Sequence, residues 1–144
     1  MRIYLAGRFS DRVFLCPVRE RLVQMGHAVV SHWLDRVDAR EPERTWGDSG
    51  YAVECAQEDW ADLLGADWVI LSTETNSPDT RGGRYVELGI ALEWGMRIGL
   101  VGPRTNVFTY LPEVEWFATW GKLLDVASQS APLNKDHQPR ERSI

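Results

Sequence analysis

The chain has 144 residues and a formal charge of −5 at pH 7, with 44% hydrophobic and 26% charged residues. This composition is that of an ordinary globular domain, so neither a disordered chain nor a membrane protein is indicated. A pI near 5.2 argues against a protein that binds nucleic acid polymers, since such proteins normally present a basic surface. A short apolar N-terminal run and two isolated cysteines, Cys16 and Cys55, predict a cytoplasmic protein with reduced thiols.

Strands and helices alternate along the chain. Short apolar and β-branched runs predict strands at residues 2–6, 28–33, 66–71, 97–101 and 114–117. Helical spacing and capping residues predict helices after Ser10 or Asp11, over 51–64, after Gly83 and over 119–128. This alternation predicts one α/β domain over 1–128 with a roughly five-stranded parallel sheet. The polar, proline-containing segment 129–144 is predicted to be a disordered tail.

A parallel sheet of this kind binds ligands in the crevice outside the carboxyl ends of its strands. The loops at those ends are 7–10, 31–49, 72–83 and 102–106, and Glu87 lies one turn into the helix that follows the third of them. Glu87 is therefore predicted to face the crevice.

The helix predicted over 51–64 carries three acids near its middle. Its apolar face is predicted around Val53, Trp60 and Leu63. At 100° per residue Asp59 lies on the flank of that face, where a strand end or a ligand could meet it. Glu58 and Asp62 are predicted to point toward water.

Several common chemistries lack their motifs. No GxGxxG or P-loop occurs, the histidines show no metal-ligand spacing, and no GxSxG elbow or cysteine–histidine arrangement is present. No cofactor or metal is therefore expected. A pair of carboxylates, Asp59 and Glu87, remains beside glycine-rich loops. Paired acids suit cleavage at an acetal-like carbon, where one stabilises or attacks the carbon and the other handles the leaving group's proton.

Three segments together resemble the nucleoside 2-deoxyribosyltransferase family, whose superfamily includes 2'-deoxynucleoside 5'-monophosphate N-glycosidases. These segments are Ile-Tyr-Leu-Ala-Gly at 3–7, Glu-Asp-Trp at 58–60 with its aspartate eight residues before Asp67, and Gly-Gly-Arg-Tyr-Val-Glu-Leu-Gly-Ile-Ala-Leu at 82–92. The resemblance covers residues 2–108 in the same order of motifs. It implies a flavodoxin-like, three-layer fold and a homodimer or larger homo-oligomer in which neighbours complete the pocket.

The resemblance also implies roles for individual residues. Glu87 matches the nucleophilic glutamate that attacks C1' of the sugar, and Tyr4 matches the tyrosine that holds this carboxylate. Asp59 matches the aspartate that contacts the base and assists its protonation. Asn106 matches a residue that reaches the 5'-hydroxyl in a neighbouring subunit.

The remaining predicted substrate-binding residues lie in the loops at the strand ends. They are Gly7, Arg8, Phe9, Arg81, Gly83 and Arg84. Arg81 stands where the transferases carry another acidic, base-contacting residue. The arginines either hold a phosphate, which guanidinium groups suit, or are solvated and paired with acids. The first possibility would favour a nucleotide over a nucleoside.

The resulting hypothesis is an enzyme that moves 2-deoxyribose between nucleobases through a covalent glycosyl-enzyme on Glu87. Its expected partners are a nucleoside or nucleotide and a free base. Two alternatives stay open: a hydrolase of 2'-deoxynucleoside 5'-monophosphates, and a non-catalytic nucleotide-binding module on the same fold.

Overall fold

A computed structural model describes residues 1–36, 49–74 and 82–130. The strands are β1 (Arg2–Ala6), β2 (Ala28–Val29), β3 (Trp68–Ser72), β4 (Arg97–Val101) and β5 (Val114–Phe117). The helices are α1 (Arg12–Gln24), α2 (Ser49–Leu64), α3 (Gly83–Glu93) and α4 (Trp120–Gln129). Short 3-10 turns occupy Phe9–Asp11, His32–Asp35 and Val107–Tyr110.

The strands form one sheet in the order β2-β1-β3-β4-β5, and every neighbouring pair is parallel. This is the strand order of flavodoxin-like folds, so the predicted fold class is confirmed. The order reverses between β1 and β3, because the chain goes from β1 to one edge of the sheet and later returns to β3 on the other side. A ligand is expected at the carboxyl end of this pair.

Helices cover both faces of the sheet. Right-handed crossovers place α1 on one face and α2 and α3 on the other. Helix α4 packs beside α1 and against β4 and β5, whereas α3 packs against β3 and β4. Strands β1, β3 and β4 are almost entirely buried between these layers. Their apolar side chains form the core and fix the positions of the strand ends.

The orientation of α2 differs from the sequence prediction. Val53 and Trp60, predicted to be core residues, are 53% and 40% exposed. Leu63 is buried as predicted, and Cys55 and Asp62 are buried in place of Val53 and Trp60. Asp62 was predicted to point to water, and that prediction is wrong. Its carboxylate accepts hydrogen bonds from the His32 backbone N–H at 2.8 Å and from His32 Nδ1 at 2.6 Å, and these partners offset the cost of burying it.

No helix in the described ranges has both the length and the apolar character needed to cross a bilayer. The predicted loop at 35–49 and the loop at 72–80 lie largely outside the described residues, and so does the predicted tail beyond Ser130.

Candidate active site

A cavity of about 190 Å³ opens at the carboxyl ends of β1 and β3. Its described lining comes from β1, the loops after β1 and β2, α2 and the start of α3. The lining residues are Tyr4, Gly7, Phe9, Trp33, Arg36, Asp59, Gly83, Arg84 and Glu87. The cavity thus lies at the crevice that the strand order predicts, and it brings together all three residues of the predicted catalytic set.

Tyr4 and Glu87 are joined directly. The Tyr4 hydroxyl donates to Glu87 Oε1 at 2.6 Å, across the gap between β1 and α3. Tyr4 is fully buried, so packing fixes the position of its ring and of its hydroxyl oxygen. Burial, together with the charges of Glu87 and Asp59, raises the pKa of Tyr4. The phenol therefore stays protonated and acts as a neutral hydrogen-bond donor to the carboxylate.

Glu87 has an unusual proton affinity for a glutamate. Burial raises the pKa of Glu87 to about 7, and the nearby Asp59 charge adds to this, whereas the Tyr4 hydrogen bond and Arg84 lower it. A carboxylate with a raised pKa is poorly solvated and correspondingly more basic. Shifts of this kind are concentrated at functional sites.

Asp59, on α2, also lines the cavity and has a charged partner. Arg36 Nη2 donates to Asp59 Oδ1 at 2.9 Å and Arg36 Nη1 to Oδ2 at 3.4 Å. Burial raises the pKa of Asp59, and Arg36 opposes that shift. The prediction that Asp59 sits on the flank of α2, within reach of a ligand, agrees with its place in the cavity lining.

The two glycines before Arg84 have different structural roles. Gly82 is the N-cap of α3 with φ of +78°, a left-handed conformation that favours glycine. Gly83 lines the cavity, and a Cβ placed on it would meet no atom within 4 Å. The Gly-Gly turn therefore leaves room for a ligand near Glu87, which lies one turn further along α3.

Arg84 is a buried cation that lines the same cavity. Its side chain is 5% exposed and Nη1 donates to the Ser72 carbonyl at 3.0 Å. Within the described part of the chain, no carboxylate lies within ion-pair distance of it. A buried guanidinium held by a carbonyl can still donate to an anionic ligand.

Of the other predicted substrate-binding residues, two line the cavity and three do not lie in its described lining. Gly7 and Phe9 line the cavity, and a Cβ on Gly7 would meet Leu15 Cδ1 at 2.8 Å. Arg8 and Asn106 are not among the described lining residues. Asn106 caps a 3-10 turn, its Oδ1 accepting from Phe108 N–H at 2.9 Å, and its predicted role toward a neighbouring subunit stays a prediction. Arg81 lies outside the described residues.

Sequence reasoning missed two lining residues, Trp33 and Arg36. Trp33 is buried and its indole N–H donates to the Leu5 carbonyl at 2.9 Å, which fixes the loop after β2 against β1. Arg36 follows it at the end of the same loop segment. The only available signal was their position, because residues after a parallel strand face the ligand crevice.

Metal chemistry has no evident centre here. Among residues 1–36, 49–74 and 82–130, no group of three or more histidine, cysteine, aspartate or glutamate side chains is arranged to hold a metal ion.

Known proteins share the fold of this chain. No family model and no curated protein matches it by sequence. A 2-deoxyribosyltransferase from Bacillus psychrosaccharolyticus aligns with a TM-score of 0.66 and 20% identity, over 87% of this chain and 91% of that one. The Clostridium botulinum CMP N-glycosidase BcmB aligns with a TM-score of 0.58 and 14% identity, over 90% of this chain and 100% of that one. A conserved protein from Enterococcus faecalis V583 aligns with a TM-score of 0.62 and 15% identity, over 90% of this chain and 98% of that one. At these identities the similarity shows the fold, which is the one that the sequence resemblance implies.

Proposed function

We propose that this protein cleaves the N-glycosidic bond of a 2'-deoxynucleoside or its 5'-monophosphate and passes the deoxyribose to a second base. The observation that carries this proposal is the hydrogen bond from the buried Tyr4 hydroxyl to Glu87. It orients a carboxylate of raised pKa into a cavity that a second acid, Asp59, also lines. The 2-deoxyribosyltransferase and the CMP N-glycosidase of the same fold support this class of reaction.

In the first step a Glu87 carboxylate oxygen bonds to C1' of the sugar as the bond from C1' to the base nitrogen breaks. The electron pair of that bond passes to the departing base, which takes up a proton from water. Asp59 stabilises the base by accepting a hydrogen bond from one of its N–H groups. Tyr4 keeps the attacking oxygen in place, so that little orientation is lost on reaching the transition state.

In the second step a ring nitrogen of the acceptor base bonds to C1' as the bond to Glu87 breaks. The Glu87 carboxylate is released, and the acceptor base gives up its ring N–H proton to water. Water in place of the acceptor would yield free deoxyribose instead. This chemistry needs only the two carboxylates and the substrates, so no cofactor is part of the proposal.

A second candidate is hydrolysis of a 2'-deoxynucleoside 5'-monophosphate. Arg84 favours it, because this buried guanidinium lines the cavity and has no carboxylate partner among the described residues. A guanidinium at this position is suited to bind the oxygens of a phosphate group.

Product analysis separates the candidates. The protein is incubated with 2'-deoxynucleosides or their 5'-monophosphates, with and without a second free base, and all bases are followed by chromatography. A new nucleoside supports transfer, and release of free base alone supports hydrolysis. Binding without turnover of any substrate would contradict both and indicate a binding module. A Glu87→Gln variant, which keeps the shape of the side chain, is the control for contaminating activity.

A further inference from the structure

Arg36 connects the loop after β2 to two consecutive acids of α2. Besides Asp59, it donates to Glu58 Oε2 from Nε at 3.0 Å and from Nη2 at 2.5 Å. Nη2 also donates to the Cys55 carbonyl at 3.1 Å. Arg36 is therefore anchored on the solvent side by Glu58 and by helix backbone, and it presents the rest of its guanidinium to Asp59.

The exposed fractions of the side chains distinguish the two acids that Arg36 contacts. The Arg36 side chain is 12% exposed, whereas Glu58 is 45% exposed and Asp59 35%. Glu58 is a surface anchor. Both oxygens of Asp59 accept hydrogen bonds from Arg36, and both residues line the cavity.

We propose that Arg36 is a positioning residue that keeps Asp59 as a fixed carboxylate, so that the cavity selects bases presenting an N–H group, such as an exocyclic amine, to Asp59. A carboxylate only accepts hydrogen bonds, whereas a protonated acid also donates. A base with a carbonyl oxygen at that point would place two acceptors against each other. This inference rests on the proposed function and extends it to the class of base.

The charges around Asp59 explain why its ionisation depends on Arg36. Among residues 1–36, 49–74 and 82–130, the charged and titratable groups around Asp59 are Tyr4 on β1, His32 and Arg36 after β2, Glu58 and Asp62 on α2, and Arg84 and Glu87 on α3. Burial raises the pKa of Asp59, Asp62 and Glu58 raise it further, and Arg36 lowers it. Without Arg36, Asp59 is left among acids and takes up a proton more readily.

The first test needs no substrate. The carboxyl carbon of Asp59 is titrated by ¹³C NMR in the full-length protein and in Arg36→Met, and its signal is assigned by its loss in Asp59→Asn. We expect the titration midpoint to rise by about one pH unit or more in Arg36→Met, as for loss of a neighbouring opposite charge. Arg36→Lys keeps the charge and should titrate close to the parent. Equal midpoints in the parent and Arg36→Met would overturn the proposal.

The second test measures base selection. Two matched pairs are compared, 2'-deoxyadenosine with 2'-deoxyinosine and 2'-deoxycytidine with 2'-deoxyuridine, which differ in an amine or a carbonyl at one ring position. We expect the parent to favour an amino member in kcat/KM by about tenfold or more, and this ratio to fall toward unity in Arg36→Met and to persist in Arg36→Lys. An Arg36→Met variant with the parent's ratio, or a parent that favours the carbonyl members, would refute the selection.

Controls separate this role from folding and from the proposed function. Arg19→Met removes another arginine that pairs with the same segment, through Asp35, and should leave both readouts unchanged. Should Arg36→Met not fold, as judged by circular dichroism, Arg36→Gln tests the same charge loss with a polar side chain of similar reach. Absence of turnover in the parent would refute the proposed function, whereas the NMR titration would still decide whether Arg36 holds Asp59 ionised.

Discussion

Two carboxylates line the same cavity, yet each is held by a different kind of partner. Glu87 accepts from the neutral Tyr4 hydroxyl, whereas Asp59 accepts from the cationic Arg36. Burial raises the pKa of Glu87 to about 7 although the Tyr4 hydrogen bond and the charge of Arg84 lower it, while Arg36 opposes the effect of burial on the pKa of Asp59. The difference suits two tasks: a basic, oriented oxygen can attack carbon, and a charge-paired carboxylate can accept a hydrogen bond. Environment rather than residue type divides such roles.

The sharpest contrast is expected from removing the proposed nucleophile. Glu87→Ala should lower kcat/KM by about 10⁴-fold or more, because the oxygen that bonds to C1' is lost. Steady-state kinetics with the best 2'-deoxynucleoside or monophosphate measures this. Glu93→Ala, at an exposed position of the same helix, should behave like the parent. Near-parental turnover in Glu87→Ala would place the chemistry elsewhere.

Asp59→Asn should have a smaller effect and a characteristic pH signature. We expect kcat/KM to fall by about 10²-fold, because the departing base loses the charged carboxylate that accepts its N–H hydrogen bond, and such a bond contributes about 1.5–3 kcal/mol. Because the Asp59 charge raises the pKa of Glu87, the acid limb of the pH profile should move to lower pH. Glu54→Gln, on the exposed side of α2, is the matched control. An acid limb that stays in place would mean that the two carboxylates do not interact.

Tyr4→Phe should produce the mildest loss and the opposite shift. Removing one hydrogen bond to a charged group costs about 1.5–3 kcal/mol, so kcat/KM near pH 7 should fall by roughly 10- to 100-fold. Since the Tyr4 hydroxyl lowers the pKa of Glu87, the acid limb should move to higher pH, and part of the loss should be recovered in alkaline buffer. A profile with an unchanged limb would argue against the hydrogen bond as a determinant of Glu87 ionisation.

Much of the fold could be predicted because its signals are local. The strands at 2–6, 97–101 and 114–117 have the predicted bounds, since short apolar runs between turn residues leave little choice of boundary. The position of Glu87 also followed from topology, because a side chain one turn into a helix after a parallel strand faces the crevice. The resemblance added the pairing of Tyr4 with Glu87, and these two side chains meet in the structure.

The errors concern polar side chains whose partners are distant in sequence. Apolar spacing placed the buried face of α2 around Val53 and Trp60, but the helix buries Asp62 against His32 instead. Arg36 gave no periodic signal and reaches Asp59 across 23 positions of the sequence. Hydrophobic patterns treat every acid as solvent-facing, so an acid that is buried with a partner is assigned to the wrong face.

The central claim is that the sugar becomes attached to Glu87 during turnover. The most direct measurement is mass spectrometry of protein acid-quenched while a 2'-deoxynucleoside or its monophosphate is being consumed, with peptide mapping of any adduct. We predict an added deoxyribosyl or phosphodeoxyribosyl mass on the peptide that contains Glu87. This added mass should be absent in Glu87→Gln. An adduct on another residue, or equal labelling of Glu87→Gln, would contradict the account.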